Sequence, residues 1–167
     1  MIIGESYIKT ILGLTGVYCS GKSTFDKLLI ENFGFFSIDV DKIGHIVLEE
    51  KKESLVEMFG KDIVQNGKIN RKELAKIVFA DKDRLNLLNS IVHPAMIVKI
   101  KSIISESQSD KICINAALLF EMSLDKLCDR IIVVKSNIFN IVKRAKMRDG
   151  RGLFDVFKIL SSQKVLS

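Results

Sequence analysis

Gly16-Val17-Tyr18-Cys19-Ser20-Gly21-Lys22-Ser23-Thr24 is the stretch on which the fold turns. A largely apolar run, residues 8–14, leads into it and a helical pattern leaves it. Glycine, four variable residues and then Gly-Lys-Ser is the pattern of a loop that holds nucleotide phosphates. Gly16 and Gly21 open backbone conformations closed to residues with a Cβ, so that several N–H groups can turn inward around phosphate oxygens. The expected cup comprises Gly16, Cys19, Ser20, Gly21, Lys22, Ser23 and Thr24, with the positive end of the helix starting near Lys22 behind it. Lys22 would reach the outer phosphates as a point charge, and the Ser23 hydroxyl would ligate magnesium.

Outward from the loop, residues 8–14 read as a buried strand of a parallel sheet covered on both faces. Residues 22–33 read as a helix with Phe25, Leu28, Leu29 and Phe33 on one face and Gly34 ending it. A short strand over 35–38 follows, and strand-helix-strand implies a parallel crossover. Asp39-Val40-Asp41 then lies beyond the carboxyl end of a strand, where open α/β sheets hold their ligands. In an extended segment the two carboxylates point to the same side. Either serves as a general base for a hydroxyl or as an outer magnesium ligand; alternatively Asp41 caps a helix beginning at Lys42.

Residues 42–106 carry no strand signal and read as an all-helical lobe inserted between strands. Gly60 and Asn66-Gly67 mark turns, and Asn70-x-x-Glu73 resembles a capping box with Leu74, Ile77 and Val78 inward. Asp81 would cap a helix with Leu85 and Leu88 inward. His93-Pro94 would start another, with Ile97, Ile100, Ile103 and Ile104 as its buried stripe. His93 either touches a substrate phosphate or caps that helix; Arg71 either pairs with an anion or faces solvent. Residues 112–118 and 130–134 read as further strands, completing four. Ser136 or Asn137 would cap a helix through Ile141, Val142 and Ala145, on which Arg144 and Arg148, four apart, share one face. That pair either offsets charge in phosphoryl transfer or forms a solvated basic face. Gly150-Arg151-Gly152 breaks the helix, and another begins at Leu153 and runs towards Gln163.

Hydrophobic residues make up 47% and charged residues 28% of the 167, the balance of a folded globular chain with one core. No uninterrupted apolar run reaches the roughly 18 residues of a membrane span, and no cleavable leader is legible, so a cytoplasmic protein away from membranes is expected. Cys19, Cys113 and Cys128 are too scattered for a disulfide framework or a zinc site. A net charge of +6 suits an anionic partner, but the basic residues do not cluster with aromatics and no guanine-specific or helicase motif is present. A nucleotide rather than a nucleic acid is therefore the expected anion.

From Gly13 almost to Gln163 the sequence resembles the dephospho-CoA kinases, P-loop enzymes that phosphorylate the ribose 3′-hydroxyl of dephospho-CoA in the last step of coenzyme A synthesis. The resemblance rests on Gly13-Leu14-Thr15-Gly16 with Ser20-Gly21-Lys22-Ser23-Thr24, on Ile38-Asp39-Val40-Asp41-Lys42-Ile43 followed by His45, and on Phe59-Gly60. It continues through Ile69-Asn70-Arg71, Val78-Phe79, Leu88-Asn89, His93-Pro94, Leu118-Leu119-Phe120-Glu121 and Lys143-Arg144 with Arg148. It implies an α/β P-loop NTPase-like three-layer core with a parallel sheet over 1–41 and 107–167, a helical lid around 136–152, and a helical acceptor-binding lobe over 42–106. It further implies ATP and magnesium as cofactors and dephospho-CoA as acceptor. Asp41 would be the base, Lys22, Arg144 and Arg148 would offset phosphoryl charge, and Asp39, Arg71 and His93 would face the acceptor.

The sequence departs from the family pattern at three places. Val17 and Cys19 stand where the loop usually has glycines, and Asn115 with Ala116-Ala117 replaces an acidic residue and a proline. The family also continues for roughly 30 to 40 residues past the position of Gln163. These departures lead us to expect a shortened kinase of weak ATP affinity and low thermal stability, with the edge of the 130–134 strand open to association into oligomers. The alternative they raise is a catalytically weak or inactive remnant that binds a nucleotide or CoA.

Overall fold

A computed structural model describes residues 9–150 and 152–162. The expected N-terminal extension, the strand start at Ile8, Arg151 and the tail around Gln163 lie outside the described residues. In chain order the elements are β1 (Thr10–Thr15), α1 (Lys22–Phe33), β2 (Phe36–Asp39), α2 (Val40–Glu50), α3 (Lys52–Phe59), β3 (Val64–Gln65), β4 (Lys68–Ile69) and α4 (Arg71–Phe79). They continue with α5 (Lys82–Glu106), β5 (Lys111–Asn115), β6 (Arg130–Val133), α6 (Ile138–Asp149) and α7 (Leu153–Ser162). The chain forms two compact units, Met1–Asp39 with Ser107–Ser167, and Val40–Glu106.

The first unit is a P-loop-type α/β core built on a parallel four-stranded sheet in the order β2-β5-β1-β6, flanked by helices. Strand period 2 sorts its side chains: Leu12 and Leu14 of β1, with Cys113 of β5 in register with Leu12, bury against Leu29 of α1. On β1's other face a Cβ at Gly13 would meet Cys128 Sγ at 2.9 Å and Leu119 at 3.0 Å, so glycine lets the chain close there. Helix α1 runs over the expected residues and ends at Gly34, left-handed with φ 70°, whose N–H donates to the Ile30 carbonyl. Its buried stripe is narrower than expected. Phe25 and Leu29, one turn apart, meet the sheet, while Leu28 and Phe33 flank that line and stay exposed. Ser37 of β2 donates to the Asp26 carboxylate at 2.7 Å, fixing the strand to the helix.

At the end of β2 the expectation fails. Asp39 is the last strand residue and α2 starts at Val40, so residues 39–41 are not extended and alternation no longer aligns the two carboxylates. Val40, Ile43 and Val47 bury at helical spacing, which starts the helix before Lys42 and puts Asp41 in its first turn, where a carboxylate favours the positive helix end.

The second unit is not all helical. Asn66 and Gly67 both have positive φ, 51° and 75°, and join the antiparallel pair β3–β4 as a two-residue hairpin turn. The core here is Leu55, Phe59, Ile63, Ile69, Leu74 and Val78. Asn70 caps α4 as expected, accepting from the N–H groups of Lys72 and Glu73 at 3.2 and 3.3 Å. The two helices expected around His93-Pro94 are one, the 25-residue α5, with Pro94 inside it. Val92, Met96 and Ile100 bury at i, i+4 spacing against α2 and α4, so packing on both sides of the proline carries the helix through, and Pro94 lies on the exposed face. The stripe is thus shifted from Ile97, Ile103 and Ile104, which are half-buried. By length and composition α5 could cross a membrane. Asn86, Asn89, Ser90 and Lys99 interrupt its apolar run, which is why a count of consecutive apolar residues passes over it.

Candidate functional site

The glycine loop connects β1, next to the middle of the sheet, to α1, beyond the carboxyl ends of the strands. Gly16 has φ 155°, and a Cβ there would lie 2.4 Å from the Val134 carbonyl oxygen and 2.8 Å from Ser20 Oγ. Only glycine brings the loop this close to the strand exit. Gly21 is the N-cap of α1 with φ 105°, and a Cβ on it would approach the Arg144 guanidinium at 3.3 Å. The first turn of α1 has neither a side-chain cap nor an acidic residue, so the positive helix end is unopposed by the helix's own sequence. Lys22 is the first helical residue and half-buried; Ser23 and Thr24 are exposed. Thr24 N–H donates to the Gly21 carbonyl at 3.0 Å, and Ser20 N–H to that of Val17 at 3.1 Å. Ser20 Oγ is buried without a hydrogen-bond partner among the described residues.

Helix α6 adds two arginines. Asn137, not Ser136, caps it, accepting from Asn140 N–H at 2.9 Å. Arg144 donates through one guanidinium nitrogen to the carbonyls of Cys19 at 3.2 Å and Ser20 at 2.9 Å, and to Ser136 Oγ at 3.3 Å. It therefore grips the loop by its backbone. Arg148 lies over the Tyr18 ring, 4.9 Å from the centroid, and donates to the Asp149 carboxylate at 3.0 to 3.2 Å. Tyr18 also donates its hydroxyl to Asp149. Burial, and then the bond to Asp149, push the Tyr18 hydroxyl up to about 12; the bonds to Asp149 raise Arg148. Beneath these contacts Ile141, Ala145 and Val156 of α6 and α7 are buried, with Val17, Tyr18 and Cys19 packed on them. The two residues that replace glycines thus serve as apolar anchors. Cys19 takes φ 55°, a left-handed conformation that costs a residue with a Cβ about 1–2 kcal/mol.

Of the remaining expected site residues, Asp39 ends β2 in this first unit and is half-buried. Asp41, Arg71 and His93 belong to the second unit. Asp41 and His45 are four apart on α2 and share a face, and the Arg71 guanidinium meets the His45 ring. Arg71 also borders a recess of about 550 Å³ with Gln65, Asn66 and Asn70. His93 is half-buried inside α5, not at a helix start.

A profile of the dephospho-CoA kinases matches residues 10–166. The chain belongs to that family. A dephospho-CoA kinase of Borreliella burgdorferi is 48% identical over 127 residues, 75% of this chain and 62% of the relative. One of Fusobacterium nucleatum is 42% identical over 157 residues, 92% of this chain and 80% of the relative. The matched part is thus less than two thirds of the Borreliella protein's length. Among solved structures, a Thermus thermophilus protein superposes with a TM-score of 0.85 at 29% identity, covering 94% of this chain and 81% of its own. A dephospho-CoA kinase from Campylobacter jejuni gives 0.66 at 30% identity, covering 93% and 80%. Tyr18 and Asp149, which meet each other and Arg148 beside the glycine loop, are residues that sequence reasoning missed. The available signal was an acidic residue at a helix C-terminus, against the helix dipole and directly before the Gly150 stop.

Proposed function

We propose that this chain transfers the γ-phosphoryl group of ATP to the ribose 3′-hydroxyl of dephospho-CoA, giving CoA and ADP. The observation that carries the reading is a glycine loop at an uncapped helix start, gripped by Arg144 and faced by Arg148, inside a family match that spans nearly all of the chain. Gly16, Cys19 and Gly21 would turn backbone amides towards the phosphates, with Ser20, Ser23 and Thr24 completing the cup. Lys22, Arg144 and Arg148 would offset the charge on the transferring group, which lowers the barrier because phosphoryl transfer depends chiefly on positioning and electrostatics. Asp41 would take the proton of the acceptor hydroxyl, and Asp39, Arg71 and His93 would orient the acceptor.

Among the described residues no group of three or more His, Cys, Asp or Glu side chains could hold a metal ion. Magnesium binds through one or two protein oxygens, with substrate phosphates and water supplying the rest. The exposed Ser23 hydroxyl is the protein ligand in this reading. Held there, magnesium would supply positive charge that offsets the charge on the phosphates. The helical segment around 136–152 would act as the lid that excludes water, and residues 42–106 as the acceptor lobe. A cytoplasmic location belongs to the same reading, with neither nucleic acid nor membrane as partner. Association of copies through β6, an edge strand of the sheet, is part of it too.

The test is direct. The purified chain, given magnesium-ATP and dephospho-CoA, should form CoA detectable by mass spectrometry, and Asp41→Asn should lower turnover about a hundredfold or more while ATP affinity stays. ATP binding without CoA would defeat the reading.

A further inference from the structure

Asp149 is out of place on electrostatic grounds. It is the last residue of α6, where the unpaired helix carbonyls concentrate negative charge, and Gly150 ends the helix immediately after it. An acidic residue there needs a compensating partner. Three donors converge on its carboxylate: Arg148 through Nε and a terminal nitrogen, and the Tyr18 hydroxyl from the phosphate loop. Arg148 and Asp149 are neighbours in sequence, and consecutive helical residues do not ordinarily face each other. Their meeting requires the guanidinium to lie back across the Tyr18 ring, as it does. The planar fork of an arginine on two carboxylate oxygens is the same geometry with which arginine takes a phosphate.

We propose that Asp149 is a positioning residue that sets the affinity for nucleoside triphosphate. Its carboxylate occupies Arg148 as an internal stand-in for phosphate and ties the end of α6 to the loop through Tyr18; an incoming polyphosphate displaces it. This rests on the reading above that the loop binds ATP. The ion pair is open to solvent, with the Arg148 side chain 58% and the Asp149 side chain 30% exposed, so it is weak enough to exchange for a doubly charged phosphate. A carboxylate with only a scaffolding role would not compete with ligand. One that competes should raise affinity when it is neutralised.

Calorimetric titration of the full chain with magnesium-ATP separates these. Asp149→Asn should bind ATP about three- to tenfold more tightly. It should lower the KM for ATP without raising kcat, and leave the affinity for dephospho-CoA unchanged. Asp149→Glu should return the affinity towards that of the parent chain. The gain should vanish when Arg148→Ala is already present. The thermal midpoint of Asp149→Asn should stay within about 2 °C of the parent, because the lost pair is offset by relief at the helix end. Equal or weaker ATP binding in Asp149→Asn, or a gain that survives without Arg148, would overturn the proposal. ATP binding with the expected pattern but no CoA would remove the kinase reading and leave the role of Asp149 standing. CoA formation with unchanged affinities would do the reverse, and no ATP binding in any variant would remove both.

Discussion

Gly16 carries the tightest steric constraint in the glycine loop. The position that a Cβ would take is 2.4 Å from the Val134 carbonyl oxygen, a backbone atom whose own residue is fixed by a 2.7 Å bond from Val134 N–H to the Thr15 carbonyl. Neither partner can move without opening the junction of β1 and β6. Gly16→Ala should therefore lower stability by about 2–4 kcal/mol, from overlap plus positive-φ strain, and abolish calorimetric ATP binding; urea denaturation measures the first. Cys19 is the instructive contrast. It accepts a left-handed backbone because its side chain packs on Ile141, Ala145 and Val156. The glycine requirement at Gly16 was readable from spacing alone. The tolerance at Cys19 was not, since the residues that support it lie more than a hundred positions away.

At the scale of elements, α5 shows where local signals mislead. Pro94 suits the first turn of a helix by its missing N–H, and sequence alone favours a start there. In the structure the helix passes through it, because Val92 before it and Met96 and Ile100 after it are buried in one line. A proline inside a helix removes one backbone bond and disfavours the helix by about 3 kcal/mol relative to alanine, partly offset by the smaller entropy of the unfolded chain. Pro94→Ala should accordingly raise stability by about 1–2 kcal/mol, seen as a higher urea midpoint with an unchanged slope. A helix that truly began at Pro94 would show no gain. The β3–β4 hairpin makes the converse point: Asn66-Gly67 was legible as a turn, but two-residue strands are too short to announce themselves by alternation.

The whole molecule responds to alkali through three protonated groups of its first unit, the buried Cys113 and the half-buried Cys128 and Tyr18. Burial pushes the Cys113 thiol up to about 12 and the Cys128 thiol up to about 11, and burial with the Asp149 bond pushes Tyr18 to about 12. All three are neutral when protonated, and the folded state holds their protons more tightly than the unfolded chain does. Their contribution to stability is complete below about pH 9, the ordinary thiol range, and is lost as pH rises through 11 to 12. Urea midpoints should therefore be flat from pH 7 to about 8.5 and fall steeply beyond about pH 10, and Cys113→Ala should make that fall shallower. Residue spacing was enough to announce the parallel sheet, the glycine loop between β1 and α1, the extent of α1 and the capped α4. The loop, α1 and α4 depend on contacts within a few residues, where backbone freedom, capping and periodicity act directly. The sheet was legible only through the order of its strands and helices, its pairs joining distant residues. The early start of α2, the unbroken α5, the grip of Arg144 on the loop carbonyls and the meeting of Tyr18, Arg148 and Asp149 came from packing alone. They join positions far apart in the chain, and no local preference encodes which distant side chain will supply the compensating burial or charge.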